Sequence, residues 1–98
     1  MLTNYIAITT LTHDEIVSKL LSEEGINGLR LDFRNGEYFP MRQNEHNFFS
    51  SFWNRGTPLY TSVKGKKIYN EIQVKFARKS NALNFLVREL EKIAYINR

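Results

Sequence analysis

Apolar and polar residues alternate along this chain in two patterns, one typical of helices and one typical of strands. Apolar residues recur at helical spacing after Thr12 and again from about residue 81 to the end. Between these two stretches the alternation has a period of two, which predicts strands with one apolar and one polar face. Each pattern therefore predicts an element whose apolar side faces a shared core.

The N-terminal part of the chain predicts a strand followed by a helix. Residues 5–11 are rich in β-branched side chains and predict the strand. Thr12 and Glu15 match a capping box, in which each side chain accepts a hydrogen bond from the other residue's backbone amide. Gly25 suits the left-handed position that ends many helices, so the helix is expected over about residues 13–24.

Two β-hairpins are predicted between the helices. Asn35-Gly36 turns the first, because both residues tolerate the positive φ angles of a tight turn. The second turns near Gly65. In its return strand Ile72, Val74 and Phe76 alternate with polar residues, and we expect these three side chains to face the core.

Four aromatic residues between the hairpins have two interpretations. Their spacing of i, i+1, i+4 and i+5 predicts one or two turns of helix. They either pack in the core or form an exposed anchor for a partner, with Trp53 as the candidate anchor. The four residues are Phe48, Phe49, Phe52 and Trp53.

The predicted element order, β-α-β-β-(α)-β-β-α, indicates an α+β fold. We expect a mainly antiparallel sheet of about five strands, with two or three helices packed on one face. A chain of 98 residues with 42% hydrophobic content predicts a single compact domain over residues 1–98. It has no cysteine, no signal-peptide pattern and no apolar run of membrane-spanning length, so we expect a soluble, cytoplasmic protein that does not contact membranes.

Positive charge is concentrated in and around the second hairpin. Seven of the fourteen Lys and Arg residues fall within residues 55–79, where Glu71 is the single acidic residue. The net charge of +4 therefore comes entirely from this segment, and two exposed tyrosines are expected in it as well. The candidate binding residues are Arg55, Tyr60, Lys64, Lys66, Lys67, Tyr69, Lys75, Arg78 and Lys79.

Three interpretations of this basic segment remain open at this point. Its lysines prevent aggregation at an exposed strand edge, neutralise the phosphates of DNA or RNA, or dock on an acidic protein surface. We favour a non-enzymatic nucleic-acid-binding protein, because Tyr60 and Tyr69 would also stack on bases. The oligomeric state is not specified by the sequence.

Evidence for catalysis is weak. His46 is the candidate base of a small metal-independent ribonuclease. This is a third hypothesis, after nucleic-acid binding and docking on an acidic protein surface. Two histidines without cysteine do not provide the ligand spacing of a metal site, and no glycine-rich phosphate loop is present. We therefore expect no catalytic residues, no metal and no cofactor.

The composition offers one further hint. The small size, the many Asn and Lys residues and the absence of an enzyme motif resemble small accessory proteins of phages and mobile elements. The alternative hypothesis is accordingly an inhibitor or adaptor that docks on an acidic surface of a nucleic-acid-handling enzyme. Trp53 and the basic hairpin would form its interface.

Overall fold

The computed structural model describes residues 5–97, and its class is α+β, as predicted. Five antiparallel strands form two sheets, one of three strands in the order β1-β2-β3 and one of two strands, β4-β5. In chain order the elements are a 3-10 helix Ile8–Thr10, α1 His13–Leu20, β1 Leu29–Arg34, β2 Glu37–Gln43, β3 Phe49–Ser51, β4 Trp53–Thr61, β5 Lys67–Gln73 and α2 Lys79–Ile96.

The three-stranded sheet begins with the first predicted hairpin. Arg34 pairs with Glu37 across the Asn35-Gly36 turn, and both turn residues have positive φ, 52° and 79°. Further along, Leu31 pairs with Pro40, so β1 and β2 run antiparallel over their whole lengths. This hairpin is confirmed, because the turn residues set its register locally.

Both α-helices pack on one face of this sheet. Ala82, Leu86 and Leu90 recur every fourth residue along α2 and are fully buried. They form a core with Leu29 and Leu31 of β1 and with the last residue of α1. The helices and the three-stranded sheet, residues 5–52 and 74–97, are called the body below.

The capping box at the start of α1 is confirmed, but the helix is shorter than predicted. The Thr12 hydroxyl accepts a bond from the Glu15 amide at 3.2 Å, and Glu15 accepts one from the Thr12 amide at 3.0 Å. The helix ends at Leu20, and Gly25 follows it in a left-handed conformation at φ 69°. A side chain at Gly25 would overlap the carbonyl oxygen of Leu29, so glycine is needed there for close packing.

The strand predicted over residues 5–11 is wrong. Ala7 and Leu11 are extended, but the residues between them, Ile8–Thr10, form the 3-10 helix. The side chain of Asn27 takes the place of a neighbouring strand, because its Oδ1 accepts from the Ile6 amide at 2.7 Å and its Nδ2 donates to the Ile6 carbonyl at 2.8 Å. The apolar side chains of Ile6, Ile8 and Leu11 still pack on the core.

The helical turns predicted around residues 48–53 are also wrong. These residues form β3 and the beginning of β4, because backbone pairing with β2 aligns Met41 with Ser51. An isolated helix of one or two turns gains too few hydrogen bonds to compete with such pairing. Strand alternation then separates the four aromatic residues onto opposite faces.

Within residues 5–97, no helix combines the length and the apolar character that crossing a membrane requires.

Candidate functional site: a basic hairpin arm

The second sheet consists of β4, β5 and the loop between them, and it projects from the body. No helix or strand described by the structure packs extensively against it. The molecule measures 51 × 33 × 22 Å, and its radius of gyration of 15.6 Å exceeds the roughly 13 Å expected for a compact chain of this length. The nine residues of β4 span about 30 Å at roughly 3.3 Å per residue. Residues 53–73 are called the hairpin arm below.

The arm leaves and rejoins the body at two core residues. Phe52 precedes it and packs edge-on against Phe85, with 5.1 Å between the ring centroids. Val74 follows it, is only 7% exposed and donates its amide to the Phe52 carbonyl at 2.9 Å. The two ends of the arm are therefore hydrogen-bonded to each other where they join the core.

The two strands of the arm differ in regularity. In β4 the register shifts on both sides of Pro58, which pairs with Tyr69, whereas β5 continues without interruption. Gly56 makes room for Ile72, because a Cβ atom there would lie 2.9 Å from the Ile72 Cδ1 atom. Such bulges increase the local twist of a two-stranded ribbon.

Three lysines lie at the tip of the arm. The tip is closed by the Ser62 amide, which donates to the Lys66 carbonyl at 2.7 Å, and Gly65 adopts a φ of 80°, which confirms the predicted turn. Lys64, Lys66 and Lys67 are exposed, and none of them forms an ion pair with another residue in the range 5–97. Their charges therefore remain available to a partner.

Aromatic side chains occupy both faces of the arm. The Arg55 guanidinium lies 4.5 Å from the centroid of the Tyr69 ring, and Arg55 is paired across the strands with Glu71. Tyr60 pairs with Ile68 on the other face and is 61% exposed. The arm thus combines positive charge with flat, accessible rings, which are the two features that single-stranded nucleic acid binding uses.

The structure brings six of the nine candidate residues onto the arm and leaves three on the body. Lys75 lies just past the base, where its Nζ forms an ion pair with the Glu37 carboxylate at 3.1 Å. Arg78 and Lys79 are exposed at the start of α2. The six on the arm are Arg55, Tyr60, Lys64, Lys66, Lys67 and Tyr69.

The expected core face of the return strand is only partly correct. Val74 is buried and Phe76 packs on the core, but Ile72 is 55% exposed. The alternating pattern specifies which residues share a face, but not whether another element packs on that face. Only the residues beyond the end of β5 are covered by the body. Leu59 at 57% exposure and the fully exposed Val63 are further apolar residues of the arm that the sequence did not single out.

The two interpretations of the aromatic cluster each apply to different members. Phe52 belongs to the core, whereas Trp53 is 54% exposed at the base of the arm and Phe48 is 70% exposed. Phe49 lies beneath the Arg30 guanidinium, 4.3 Å from it, on the sheet face that the helices do not cover. A second such pair, Arg34 and Phe39, lies on the same face, a surface that sequence inspection missed because Arg30 and Arg34 alternate with apolar residues in β1.

The geometry around His46 does not resemble a catalytic site. Its side chain is 75% exposed, and its Nε2 atom lies 3.5 Å from a carboxylate oxygen of Glu45, which is itself exposed.

An open groove of about 660 Å³ lies between the end of β2 and the end of α2, lined in part by Arg42 and Glu89. Within residues 5–97, no three His, Asp or Glu side chains are placed to hold a metal ion.

Comparison with protein-family models, with curated proteins and with solved structures finds no match for this chain. The function is therefore inferred from the residues of the arm.

Proposed function

We propose that this protein binds nucleic acid through the hairpin arm, without catalysing a reaction. The observation that supports this proposal is the projecting two-stranded ribbon with three exposed lysines, Lys64, Lys66 and Lys67, at its tip. Phosphate contacts by such lysines provide most of the affinity of basic proteins for nucleic acid. The body would act as the scaffold from which the arm projects.

The dimensions of the arm suit a polyanion. A two-stranded ribbon fits the major groove of duplex DNA, which is about 12 Å wide. The exposed ring of Tyr60 and the partly exposed ring of Tyr69 provide an alternative contact, because unpaired bases stack on such rings with about 1–3 kcal/mol each. The arm would therefore enter the major groove of a duplex, whereas its tyrosines would stack on the bases of a single strand.

The test is a salt titration of binding to single-stranded and double-stranded DNA and RNA. In one variant, Lys64, Lys66 and Lys67 are replaced together by Ala. Removing three phosphate contacts makes the negative slope of log K against log salt shallower by about 2–3, since each contact contributes roughly −0.9 on duplex DNA and −0.7 on a single strand. We expect the affinity of this variant at low salt to fall by about tenfold or more.

The matched control removes three charges from the body. It carries Lys19→Ala, Arg88→Ala and Lys92→Ala, on the two helices, and has the same net charge as the tip variant. We expect it to retain a steeper salt dependence than the tip variant. Equal losses in the two variants would show that net charge alone matters, and no binding of the native protein to any of the four nucleic acids at low salt would contradict the proposal.

A second candidate function rests on the exposure of Trp53. Its ring is 54% exposed beside the basic arm, and large aromatic side chains of this kind dominate the energetics of many protein interfaces. The protein would then be an inhibitor or adaptor that docks on an acidic protein surface, as charge complementarity favours. Recovery of one stoichiometric partner after nuclease treatment, and its loss with a folded Trp53→Ala variant, would support this function instead.

A further inference from the structure

The outer edge of β5 is open for pairing. Within the described residues, β4 is the only strand that pairs with β5. The Ser62 amide bonds to the Lys66 carbonyl, and the Val74 amide bonds to the Phe52 carbonyl, so even-numbered residues of β5 direct their backbone groups towards β4. The odd-numbered residues Lys67, Tyr69, Glu71 and Gln73 direct theirs outward.

The two edges of the arm are not equivalent. The edge of β4 contains Pro58 and two register shifts, which are devices that prevent a strand from pairing further. The edge of β5 contains neither a proline nor a bulge over Lys67–Gln73. A two-stranded hairpin is only marginally stable by itself in water, so a third strand would stabilise the arm. The regular edge of β5 is the one with which such a strand could pair.

We propose that β5 pairs antiparallel with β5 of a second copy of this chain, around a two-fold axis at Asn70. In this register Tyr69 faces Glu71 of the second copy, and Lys67 faces Gln73 of the second copy. All four residues have outward backbone groups, so each pair exchanges two hydrogen bonds. A two-fold axis makes the same contacts twice, and two arms together form a four-stranded sheet.

Side chains favour this register over the one with its axis at Tyr69. Ile68 lies opposite Ile72 of the second copy, so the half-exposed Ile72 gains an apolar partner on the same face. Lys67 lies diagonal to Glu71 of the second copy, which places opposite charges side by side. Moving the axis to Tyr69 would place Ile68 opposite Asn70 and leave Ile72 without an apolar partner.

This dimer does not depend on nucleic-acid binding, so it is tested with protein freed of nucleic acid. The chain contains no cysteine, and the register places the two Asn70 residues opposite each other as a non-hydrogen-bonded pair. Their Cα atoms would be about 4.5 Å apart, within the range that a disulfide bridges. We expect Asn70→Cys to form a disulfide-linked dimer at least about ten times faster under mild oxidation than a control, Asn54→Cys, on the exposed β4 strand.

Sedimentation equilibrium over roughly a hundredfold range of concentration provides a second measurement. We expect Ile72→Lys to weaken the dimer by about tenfold or more, because it removes both isoleucine pairs and adds like charges. Val63→Lys adds the same charge at the exposed tip and should leave the dissociation constant unchanged.

Three results would overturn the proposal: a monomer at every concentration, equal cross-linking of Asn70→Cys and Asn54→Cys, or a dimer that Ile72→Lys does not weaken. If circular dichroism shows that Ile72→Lys does not fold, the cross-linking comparison decides.

Discussion

The body and the arm are both built from antiparallel strands with alternating apolar residues, but only the body has a layer that covers them. Leu29 and Leu31 of β1 are 3% and 6% exposed beneath α2, whereas Leu59 and Ile72 of the arm remain more than half exposed. An alternating pattern thus specifies a strand with two different faces. Whether the apolar face is buried depends on which elements return to pack on it.

Because of this difference, the body provides most of the stability of the fold, whereas the arm provides the surface for interactions. The body contains the fully buried side chains, which account for most of the free energy of folding. The arm contributes exposed charges, rings and one regular edge, features that gain free energy only when a partner is present. Substitutions in the body should therefore change stability, and those in the arm should change binding.

The largest expected effect is a cavity in the body. Leu86 is fully buried in the centre of α2, and Leu86→Ala should reduce the free energy of unfolding by about 2–5 kcal/mol. Chemical denaturation measures this change. Ile96→Ala on the same helix is the control, because Ile96 is 79% exposed and its loss should change stability by less than about 0.5 kcal/mol. Similar effects at both positions would mean that α2 does not cover the core as described.

The next effect lies at the boundary between the two regions. Phe52→Ala should destabilise the protein by about 2 kcal/mol, less than for a fully buried ring, because Phe52 packs against Phe85 but is only half-buried. Trp53→Ala, one residue later, should cost less than about 1 kcal/mol because the Trp53 side chain is largely exposed. Parallel denaturation curves test the pair, and a greater loss from Trp53→Ala would assign Trp53 to the core instead of to the arm.

Features specified by residues close in sequence could be predicted. The Asn35-Gly36 turn and the Thr12–Glu15 capping box each depend on contacts within four residues, and both are present. The lysines of the second turn were likewise placed together at its tip. Local chemistry fixes such features before any tertiary contact forms.

Features that depend on distant residues could not be predicted. The stretch 5–11 does not form a strand because Asn27, far along the chain, satisfies the Ile6 backbone. The exposure of the arm could not be predicted for the same reason. Residues 67–73 do not indicate whether a helix packs over Ile72, which is in fact exposed. Lys75 was also a candidate binding residue, although it forms an ion pair with Glu37 of the first hairpin. Tertiary context decided each of these cases.

A smaller effect is expected from the helix cap, which belongs to the body but lies on its surface. Thr12→Ala removes the hydroxyl that accepts from the Glu15 amide, and it should cost about 1 kcal/mol of unfolding free energy. Thr12→Ser keeps an acceptor and should restore most of the loss. Thr9→Ala changes an exposed threonine outside the cap and should have almost no effect, so an equal loss there would show that the cap is not the cause.

The smallest effect is the pH dependence of the same cap. The Thr12 backbone amide, followed by the Thr12 hydroxyl, donates to the Glu15 carboxylate and lowers its pKa. The folded state therefore favours the ionised form, so the associated stability is present above the pKa of Glu15 in the unfolded chain and is lost as the pH falls through the lower folded value. We expect the native protein to lose part of its advantage over Glu15→Gln as the pH is lowered through the acidic range, measured by urea denaturation at several pH values. A difference between the two proteins that stays constant with pH would show that the ionised carboxylate does not stabilise the cap.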